Sequence, residues 1–222
     1  MRKLALTLIA ALLLTGCHHA GRMHDGIAGS GVRKTEKRVL SPFTAISTDG
    51  AFDIRVVSQQ PQSLEIEGDD NLLALVATDV SNGVLRIKNL RGYSTNDPIK
   101  IKISMANIDG VTANGAGTIE ISGVKNEKFE IDSNGAPTIK VSGETKALAI
   151  DANGAGKIDA HKLRAANAKV ESKGVARVEV SASDQLIVTI SGPSTVVYDG
   201  DPDLKQSVNG PGSVQKRNSG GA

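Results

Sequence analysis

The sequence predicts an all-β fold, a single-stranded parallel β-helix of short coils of about 18–20 residues, right-handed by the general rule for parallel crossovers. Three observations predict it: a recurring glycine motif, apolar columns at fixed offsets from the glycine, and polar residues alternating with the apolar ones. The motif is clearest at Asn114-Gly115-Ala116-Gly117, and its first glycine recurs at intervals of 20, 19, 20, 18 and 18 residues. These glycines are Gly115, Gly135, Gly154, Gly174, Gly192 and Gly210.

Apolar residues occupy the same two offsets in nearly every repeat. Four residues after the glycine stand only β-branched aliphatic residues, namely Ile119, Ile139, Ile158, Val178, Val196 and Val214. Four residues before it stand Val111, Ile131, Ile150, Val170 and Val188, with Gln206 as the one exception. Charged residues follow the later apolar column, so each strand is expected to bury one face and expose the other. These charged residues are Glu120, Lys140, Asp159 and Glu179.

Asparagine followed by glycine is also typical of antiparallel β-hairpins, which are the main alternative to stacked coils. Hairpins do not require one residue type at one offset through six repeats. Stacked coils do, because each residue lies above its equivalent in the next coil. Each repeat is therefore expected to supply two short strands that meet at the glycine, and glycine is expected there because it tolerates positive φ.

Two polar columns allow both a functional and a structural interpretation. The first column precedes the glycine and contains Asn114, Asn134, Asn153, Lys173, Ser191 and Asn209. It forms either a ligand-facing row or, as stacking favours, a ladder of hydrogen-bonded amides. The second column contains Asp132, Asp151 and Glu171. Stacked carboxylates could bind a cation, but like charges on a solvated face more simply prevent aggregation, and we predict no metal site.

The N-terminal half of the domain is less regular. One isolated coil repeats the apolar offsets around Gly50, and alternating segments predict strands near residues 64–66, 84–87 and 99–104. Residues 69–76 place capping side chains before an aliphatic run, which predicts one short helix. We expect this helix to cover the open end or the flank of the first coils, because the ends of a β-helix are unpaired edges.

Residues 1–16 have the pattern of an export signal, with two basic residues before an apolar run too short to span a membrane. The run ends in Leu14-Thr15-Gly16-Cys17, which resembles the bacterial lipobox and makes Cys17 the predicted lipid-attachment residue. The alternative is an ordinary secretory signal with an incidental cysteine. His18 stands where an Asp would imply inner-membrane retention, so the resemblance implies the outer membrane. Cys17 is the only cysteine, which excludes an intrachain disulfide.

The rest of the chain is predicted to divide into a flexible tether at residues 17–38, a β-helical domain at residues 39–216 and a frayed tail at residues 217–222. The tether contains His18, His19, His24 and Asp25. These residues could ligate a metal, but a flexible segment offers no supporting hydrogen bonds around the ligands, so we predict no metal or cofactor.

Composition limits the classes of partner. The chain has 26 Lys and Arg residues and 24 Asp and Glu residues, and the predicted export signal carries two of the basic ones. The mature chain would therefore have 24 of each and be neutral, which gives no general attraction for nucleic acid. Aromatic residues make up 2% of the chain, so stacking platforms for sugars are nearly absent.

The order and spacing of several short motifs over residues 40–212 resemble the head GIN domain, a family described as auto-transporter adhesins and often carried on bacterial lipoproteins. The motifs are Phe43 and Ile46 before Gly50, then Phe52-Asp53-Ile54, Asp70-Asn71-Leu72-Leu73, Gly83 with Leu85 and Ile87, and the Asn-Gly-Ala-Gly coils. The resemblance implies a β-helical domain outside the inner membrane and an adhesin-like role. It carries no catalytic residues over to this chain.

Three functions follow as hypotheses. The first is a non-enzymatic, lipid-anchored envelope protein whose β-helix binds an unknown protein or glycan. The second is a β-helical enzyme acting on polysaccharide as a lyase or hydrolase, which would need a convergent set of catalytic groups. The third is a purely structural envelope protein. We predict no catalytic residue, since the acidic residues follow the repeat and His161, the lone histidine of the domain, has no evident partner and is expected to be solvated.

Overall fold

The computed structural model describes residues 26–217, which form seventeen β-strands and one 3₁₀ turn at Leu73–Leu75. The strands are β1 (Ile27–Ala28), β2 (Arg33–Lys37), β3 (Ala45–Asp49), β4 (Asp53–Ser58), β5 (Ser63–Asp69), β6 (Val76–Ser81), β7 (Val84–Asn89), β8 (Tyr93–Ser94), β9 (Lys100–Met105), β10 (Gly110–Ala113), β11 (Thr118–Ser133), β12 (Thr138–Ala152), β13 (Lys157–Ser172), β14 (Arg177–Ser191), β15 (Thr195–Asp199), β16 (Asp203–Asn209) and β17 (Ser213–Lys216). The all-β prediction is confirmed.

Parallel pairing stacks these strands into a solenoid of about five turns. Strands β11 to β14 are 15 or 16 residues long and supply two sides of each coil. On one side, here called the first sheet, the order is β6, β7, β3 and β10, then β11 to β14, then β16. On the other side, the second sheet, the order is β2, β5, β9 and β4, then β11 to β14, then β15 and β17.

The strand register confirms the predicted apolar columns. In the second sheet Ile119 pairs with Ile139, Ile139 with Ile158, and Ile158 with Val178. In the first sheet the stacked residues are Val111, Ile131, Ile150, Val170 and Val188. All of these side chains are at most 3% exposed and belong to one continuous aliphatic core. The parallel register rules out the hairpin alternative.

The repeat glycines are required mainly by the close approach of neighbouring coils. A Cβ atom on Gly135 would lie 2.2 Å from the carbonyl oxygen of Gly115, and one on Gly154 would lie 1.8 Å from that of Gly135. Positive φ is found at Gly192 (140°) and Gly210 (115°), as predicted. The prediction of positive φ is wrong for the earlier repeats, where glycine is needed instead because the backbone of the preceding coil occupies the space of a side chain. These repeats are Gly115, Gly135, Gly154 and Gly174.

The N-terminal half differs from the regular coils because it contains antiparallel pairs, namely β2 with β5, β5 with β9, and β6 with β7. The predicted short helix is a single 3₁₀ turn between β5 and β6. The Arg38 guanidinium fixes this turn by donating to the carbonyl oxygens of Leu73 at 3.1 Å and Val76 at 2.6 Å. Edge strands β2 and β6, with the 3₁₀ turn, form one end of the solenoid, here called the β2 end.

The predicted flexible tether over residues 17–38 is wrong for its described part. Strand β1 pairs with β8, and β2 adds an antiparallel edge strand to β5. Cross-strand ion pairs accompany β2, namely Arg33 with Glu67 and Asp69, Lys34 with Asp70, and Lys37 with Glu65. The sequence analysis missed β2 because an edge strand that pairs through its backbone and its charges needs no apolar alternation. The described fold therefore includes residues 26–38.

Strands β16 and β17 form the opposite end, here called the β17 end. The predicted frayed tail is wrong at its first residue, because Arg217 Nε lies 3.0 Å from the Asp199 carboxylate. Residues 1–25 and 218–222 lie outside the described residues, and with them lie the predicted export signal and Cys17. Between residues 26 and 217, no helix is long and apolar enough to cross a membrane.

Candidate functional site

The outward face of the second sheet carries one charged side chain on each of five stacked strands. We call these residues the charged row: Arg55, Glu120, Lys140, Asp159 and Glu179, paired in register in that order. Side chains alternate along a strand, so the inward neighbours of the row fill the core while the row itself points away from it. Opposite charges face each other along the row until Asp159 meets Glu179.

One histidine and two arginines surround the like-charged Asp159–Glu179 pair. His161 Nδ1 contacts Asp159 Oδ1. Arg177 Nε donates to Glu179 Oε1 at 3.0 Å, and the Arg217 guanidinium donates to Glu179 Oε2. Because Glu179 is only 6% exposed, these charge-assisted hydrogen bonds compensate for its removal from water.

The pKa shifts follow from these contacts. The hydrogen bond from Arg217 lowers the pKa of Glu179 below its usual value, burial opposes this, and Arg177 adds to the lowering. Burial raises the pKa of Asp159, but hydrogen bonding to His161 and the charge of its ring outweigh burial, so the net pKa is lowered. Both carboxyl groups are therefore held in the ionised form at neutral pH.

The same cluster could be considered as a metal site, since ligand atoms of Asp159, His161 and Glu179 lie within 4.8 Å of one another. A metal ion on Glu179 would lie beside two guanidinium groups that repel a cation and already occupy both carboxylate oxygens. The arrangement therefore suits an ion-pair network better than a metal centre.

The prediction that His161 has no partner is wrong, because the ring contacts Asp159. Strand periodicity could have found this contact, since residues two apart lie on the same face of a strand. The role of Arg217 could not have been found in this way, because it follows the last strand and reaches Glu179 across β15.

A surface cavity of ≈ 210 Å³ adjoins the charged row. Its polar lining combines two lysines, one histidine, two anionic side chains and one hydroxyl, namely Lys140, Lys162, His161, Glu120, Asp159 and Ser142. Its lining includes no aromatic side chain, so a ligand would be held here by hydrogen bonds and ion pairs rather than by stacking.

The corner asparagines form the predicted amide ladder. Asn134 Nδ2 donates to Asn114 Oδ1 at 3.0 Å, and Asn153 Nδ2 donates to Asn134 Oδ1 at 3.1 Å. Each amide thus binds its equivalent in the neighbouring coil. The ladder is confirmed for these three asparagines, whose amide groups bind one another instead of a ligand.

The acidic column of the first sheet is also stacked, with Asp151 paired to Asp132 on one side and to Glu171 on the other. Burial raises the pKa of Asp132, the charge of Asp151 raises it further, and the Thr112 hydroxyl at 3.3 Å opposes the rise. At the other end, a hydrogen bond from Lys169 lowers the pKa of Glu171. The Thr112 hydroxyl and the Lys169 ammonium group thus donate hydrogen bonds to the carboxyl groups at the two ends of the column.

The fold and the charged row together define a β-solenoid protein whose second sheet has a charged outer face. Residues 42–202 match the family described as "Putative auto-transporter adhesin, head GIN domain", and the chain belongs to this family. The resemblance seen in the sequence is thereby confirmed. No curated protein sequence matches the chain.

Several solved structures share the fold. A putative adhesin from Bacteroides fragilis has a TM-score of 0.73 at 22% identity, covering 86% of this chain and 100% of that one. A putative adhesin from Parabacteroides merdae has a TM-score of 0.52 at 22% identity, covering 87% and 99% of the two chains. A putative lipid binding protein from Parabacteroides distasonis has a TM-score of 0.52 at 20% identity, covering 86% and 99%. These similarities establish the fold.

Proposed function

We propose that this protein is a non-enzymatic cell-envelope lipoprotein that displays its β-solenoid as an adhesin-like interaction module. The observation that carries the proposal is the charged row, which presents one charged side chain per strand from Arg55 to Asp159 on a continuous core. Membership of an adhesin family supports a role in attachment and a place in the envelope.

The charged row and its cavity favour a polar ligand, either a protein or a glycan that carries charged and hydroxyl groups. Lys140 and Lys162 can donate hydrogen bonds, while Glu120 can accept them. Exposed ion pairs contribute only about 0–1 kcal/mol each, so useful affinity requires several coils to be engaged at once. Stacked strands provide such repeated contacts at a spacing of about 4.8 Å.

We propose that Cys17 is acylated and holds the protein at the outer membrane. Each buried methylene of an acyl chain contributes about 0.8 kcal/mol, so two or three chains anchor a protein stably where one does not. The lipobox pattern before Cys17 supports this attachment, and the absence of Asp at position 18 supports the outer membrane.

Metabolic labelling with a palmitate analogue tests the anchor. The wild-type chain and a His19→Ser control should incorporate the label and fractionate with outer membranes, whereas Cys17→Ser should lose the label and become soluble after lysis. Equal labelling of wild type and Cys17→Ser would refute the anchor.

Binding of the chain from Cys17 to Ala222 to arrays of envelope glycans and envelope proteins tests the interaction surface. The variant Lys140→Glu/Lys162→Glu reverses two charges beside the cavity. The matched control, Lys169→Glu/Lys205→Glu, reverses two exposed charges on the first sheet. We expect the first variant to bind its ligand at least about tenfold more weakly than wild type, about 1.4 kcal/mol, and the control to bind like wild type. Equal losses in both variants would contradict the charged row as the binding surface.

A panel of acidic and neutral polysaccharides, incubated with and without divalent metals, tests the non-enzymatic part of the proposal. We expect no release of reducing or unsaturated ends above the rate without protein. Cleavage that His161→Ala or Glu179→Gln abolishes would replace the interaction module with an enzyme.

A further inference from the structure

The β2 end exposes apolar side chains that the rest of the fold would normally bury. Val39 is 101% exposed, Leu90 58% and Val32 55%, and these are three of the six exposed large hydrophobic residues between residues 26 and 217. Val32 and Val39 flank the edge strand β2 on its two sides. The Leu90 amide donates to the Leu75 carbonyl oxygen at 2.9 Å, which places Leu90 beside the 3₁₀ turn.

Lysine side chains extend from the same end. The side chains of Lys34 and Lys37 on β2 are 64% and 80% exposed. Their ammonium groups lie 3.5 Å from Asp70 and 3.2 Å from Glu65, so each is only loosely held. Long lysine stems whose charged heads form only exposed ion pairs are suited to a boundary between apolar and polar surroundings, where the heads can exchange these partners for phosphate groups.

The chain length before the fold limits where the anchor can lie. Gly26 is nine residues after Cys17, and an extended chain covers about 3.3–3.6 Å per residue, so the reach is at most about 30 Å. The second sheet has ten strands from β2 to β17, which at about 4.8 Å per step gives a length of about 43 Å. Since β1 pairs with β8 and Gly29 lies against Asp69 of β5, the chain enters the fold near the β2 end.

We propose that the β2 end is a membrane-contact surface that rests on the phospholipid layer holding the Cys17 anchor. Val32, Val39 and Leu90 insert between headgroups, while Lys34 and Lys37 bind lipid phosphates. This inference depends on the proposed acylation of Cys17, because a tether of at most about 30 Å keeps the surface concentrated near the lipid and lets weak contacts suffice. The β17 end then points away from the membrane, and successive coils of the charged row lie at increasing height above it.

Tryptophan quenching tests the contact, because the chain has no Trp and only one Cys. The chain from Cys17 to Ala222 is coupled through Cys17 to a maleimide lipid in phosphatidylethanolamine–phosphatidylglycerol vesicles containing a brominated phospholipid. Single Trp variants report on three places: Val39→Trp at the β2 end, Val175→Trp at a repeat corner, and Gln215→Trp at the β17 end. All three positions are exposed, so the fold should tolerate the change, and circular dichroism checks this.

We expect brominated lipid to reduce Val39→Trp emission at least about twofold and to leave the other two reporters unchanged, as insertion to the headgroup boundary requires. Adding Leu90→Ser and Val32→Ser to Val39→Trp should remove most of this quenching. Equal quenching of the Val39 and Val175 reporters would show that the solenoid lies on its side and would overturn the proposal. Absence of quenching at Val39 would overturn it as well.

The two proposals fail separately in these experiments. Chemical coupling at Cys17 places the protein on the vesicle whether or not cells acylate that residue. If wild type and Cys17→Ser take up the palmitate label equally while brominated lipid still quenches Val39→Trp, only the proposed acylation of Cys17 is refuted. Normal palmitate labelling without quenching would refute the membrane-contact surface alone.

Discussion

The regular coils and the β2 end solve the same problem, the unpaired edge of a sheet, in different ways. In the regular coils, residues 110–199, almost every side chain lies directly above an equivalent one, and each coil covers the edge of the previous coil. At the β2 end no further coil follows among residues 26–217. There the chain reverses direction, adds antiparallel strands and closes the end with the 3₁₀ turn.

This difference shows that repetition and closure draw on different interactions. The regular coils rely on aliphatic columns and on contact between glycine backbones, which any coil can reproduce. The β2 end shares the same aliphatic core, with Ile66, Leu72 and Leu73 buried in it, and adds individual polar contacts. Arg38 joins the 3₁₀ turn to β6, and the buried Asp69 carboxylate receives a hydrogen bond from Thr95 at 3.1 Å and lies 3.6 Å from Arg33.

The largest effect is expected when a charge enters an aliphatic column. Ile139 is fully buried between Ile119 and Ile158. Ile139→Asp should lower the free energy of unfolding by about 4 kcal/mol or more, because it buries a carboxylate without a partner. Lys140→Asp, on the exposed face of the same strand, should cost less than about 1 kcal/mol. Urea denaturation measures the free energy of unfolding of both variants. Equal losses would contradict the burial of Ile139 in a stacked aliphatic column.

The second largest difference in stability between the two regions is expected when a glycine is replaced by alanine. Gly135→Ala should cost about 3 kcal/mol, because its Cβ would lie 2.2 Å from the backbone of the adjacent coil and force the two coils apart. Gly83, in the turn between β6 and β7, has φ of 74° but open space around it. Gly83→Ala should cost about 1 kcal/mol, which is the strain of the left-handed conformation alone. A smaller loss at Gly135 than at Gly83 would contradict backbone stacking.

The ion-pair network around Glu179 predicts a pH-dependent stability. The pKa of Glu179 is lowered in the fold, so its contribution is complete above its unfolded pKa near 4.5 and is lost as pH falls through the folded pKa. Glu179→Gln should therefore cost about 2 kcal/mol at pH 7, and the difference from wild type should shrink below pH 4.5. A difference that is constant from pH 7 to pH 3 would exclude the network as its source.

The smallest expected effect is a gain in stability, whereas the preceding substitutions are expected to lower stability. The pKa of Asp132 is raised in the fold by burial and by Asp151, so its ionised form is disfavoured at neutral pH. Asp132→Asn should stabilise the protein at pH 7 by about 0.5 kcal/mol or less, because solvent screens the column. The gain should vanish as pH falls through the raised folded pKa and below the unfolded value of 3.8. Asp203→Asn on β16 serves as the control, and destabilisation by Asp132→Asn at pH 7 would contradict the assignment.

The predictability of the fold from the sequence differs between the same two regions. Ile139 could be placed because its column repeats at one offset and stacking demands that repetition. Strand β2 could not be placed, because its partners are distant in the chain and no local pattern records the contacts. Arg33 pairs with Asp69, 36 residues later, and Lys37 pairs with Glu65, 28 residues later. Long-range antiparallel closure leaves no periodic signal.

The candidate site was predictable to a similar degree. The charged row follows from the repeat, and the amide ladder at Asn134 follows from stacking. The contact of His161 with Asp159 was within reach of strand periodicity, whereas the bond from Arg217 to Glu179 depends on where the last strand lies. Repetition thus reveals which residues share a face, and only the folded chain reveals which distant residues complete their hydrogen bonds.

Native-state hydrogen exchange on the chain from Cys17 to Ala222 tests the central contrast most directly. Amides of the inner strands β11 to β13 should exchange only after the opening reaction of highest free energy. Amides of β2, the 3₁₀ turn and β6 should exchange through an opening of lower free energy. Arg38→Met should increase exchange at the β2 end and leave β12 unchanged. Uniform protection across both regions, with Arg38→Met accelerating exchange equally in both, would contradict the distinction between repeated coils and a separately built end.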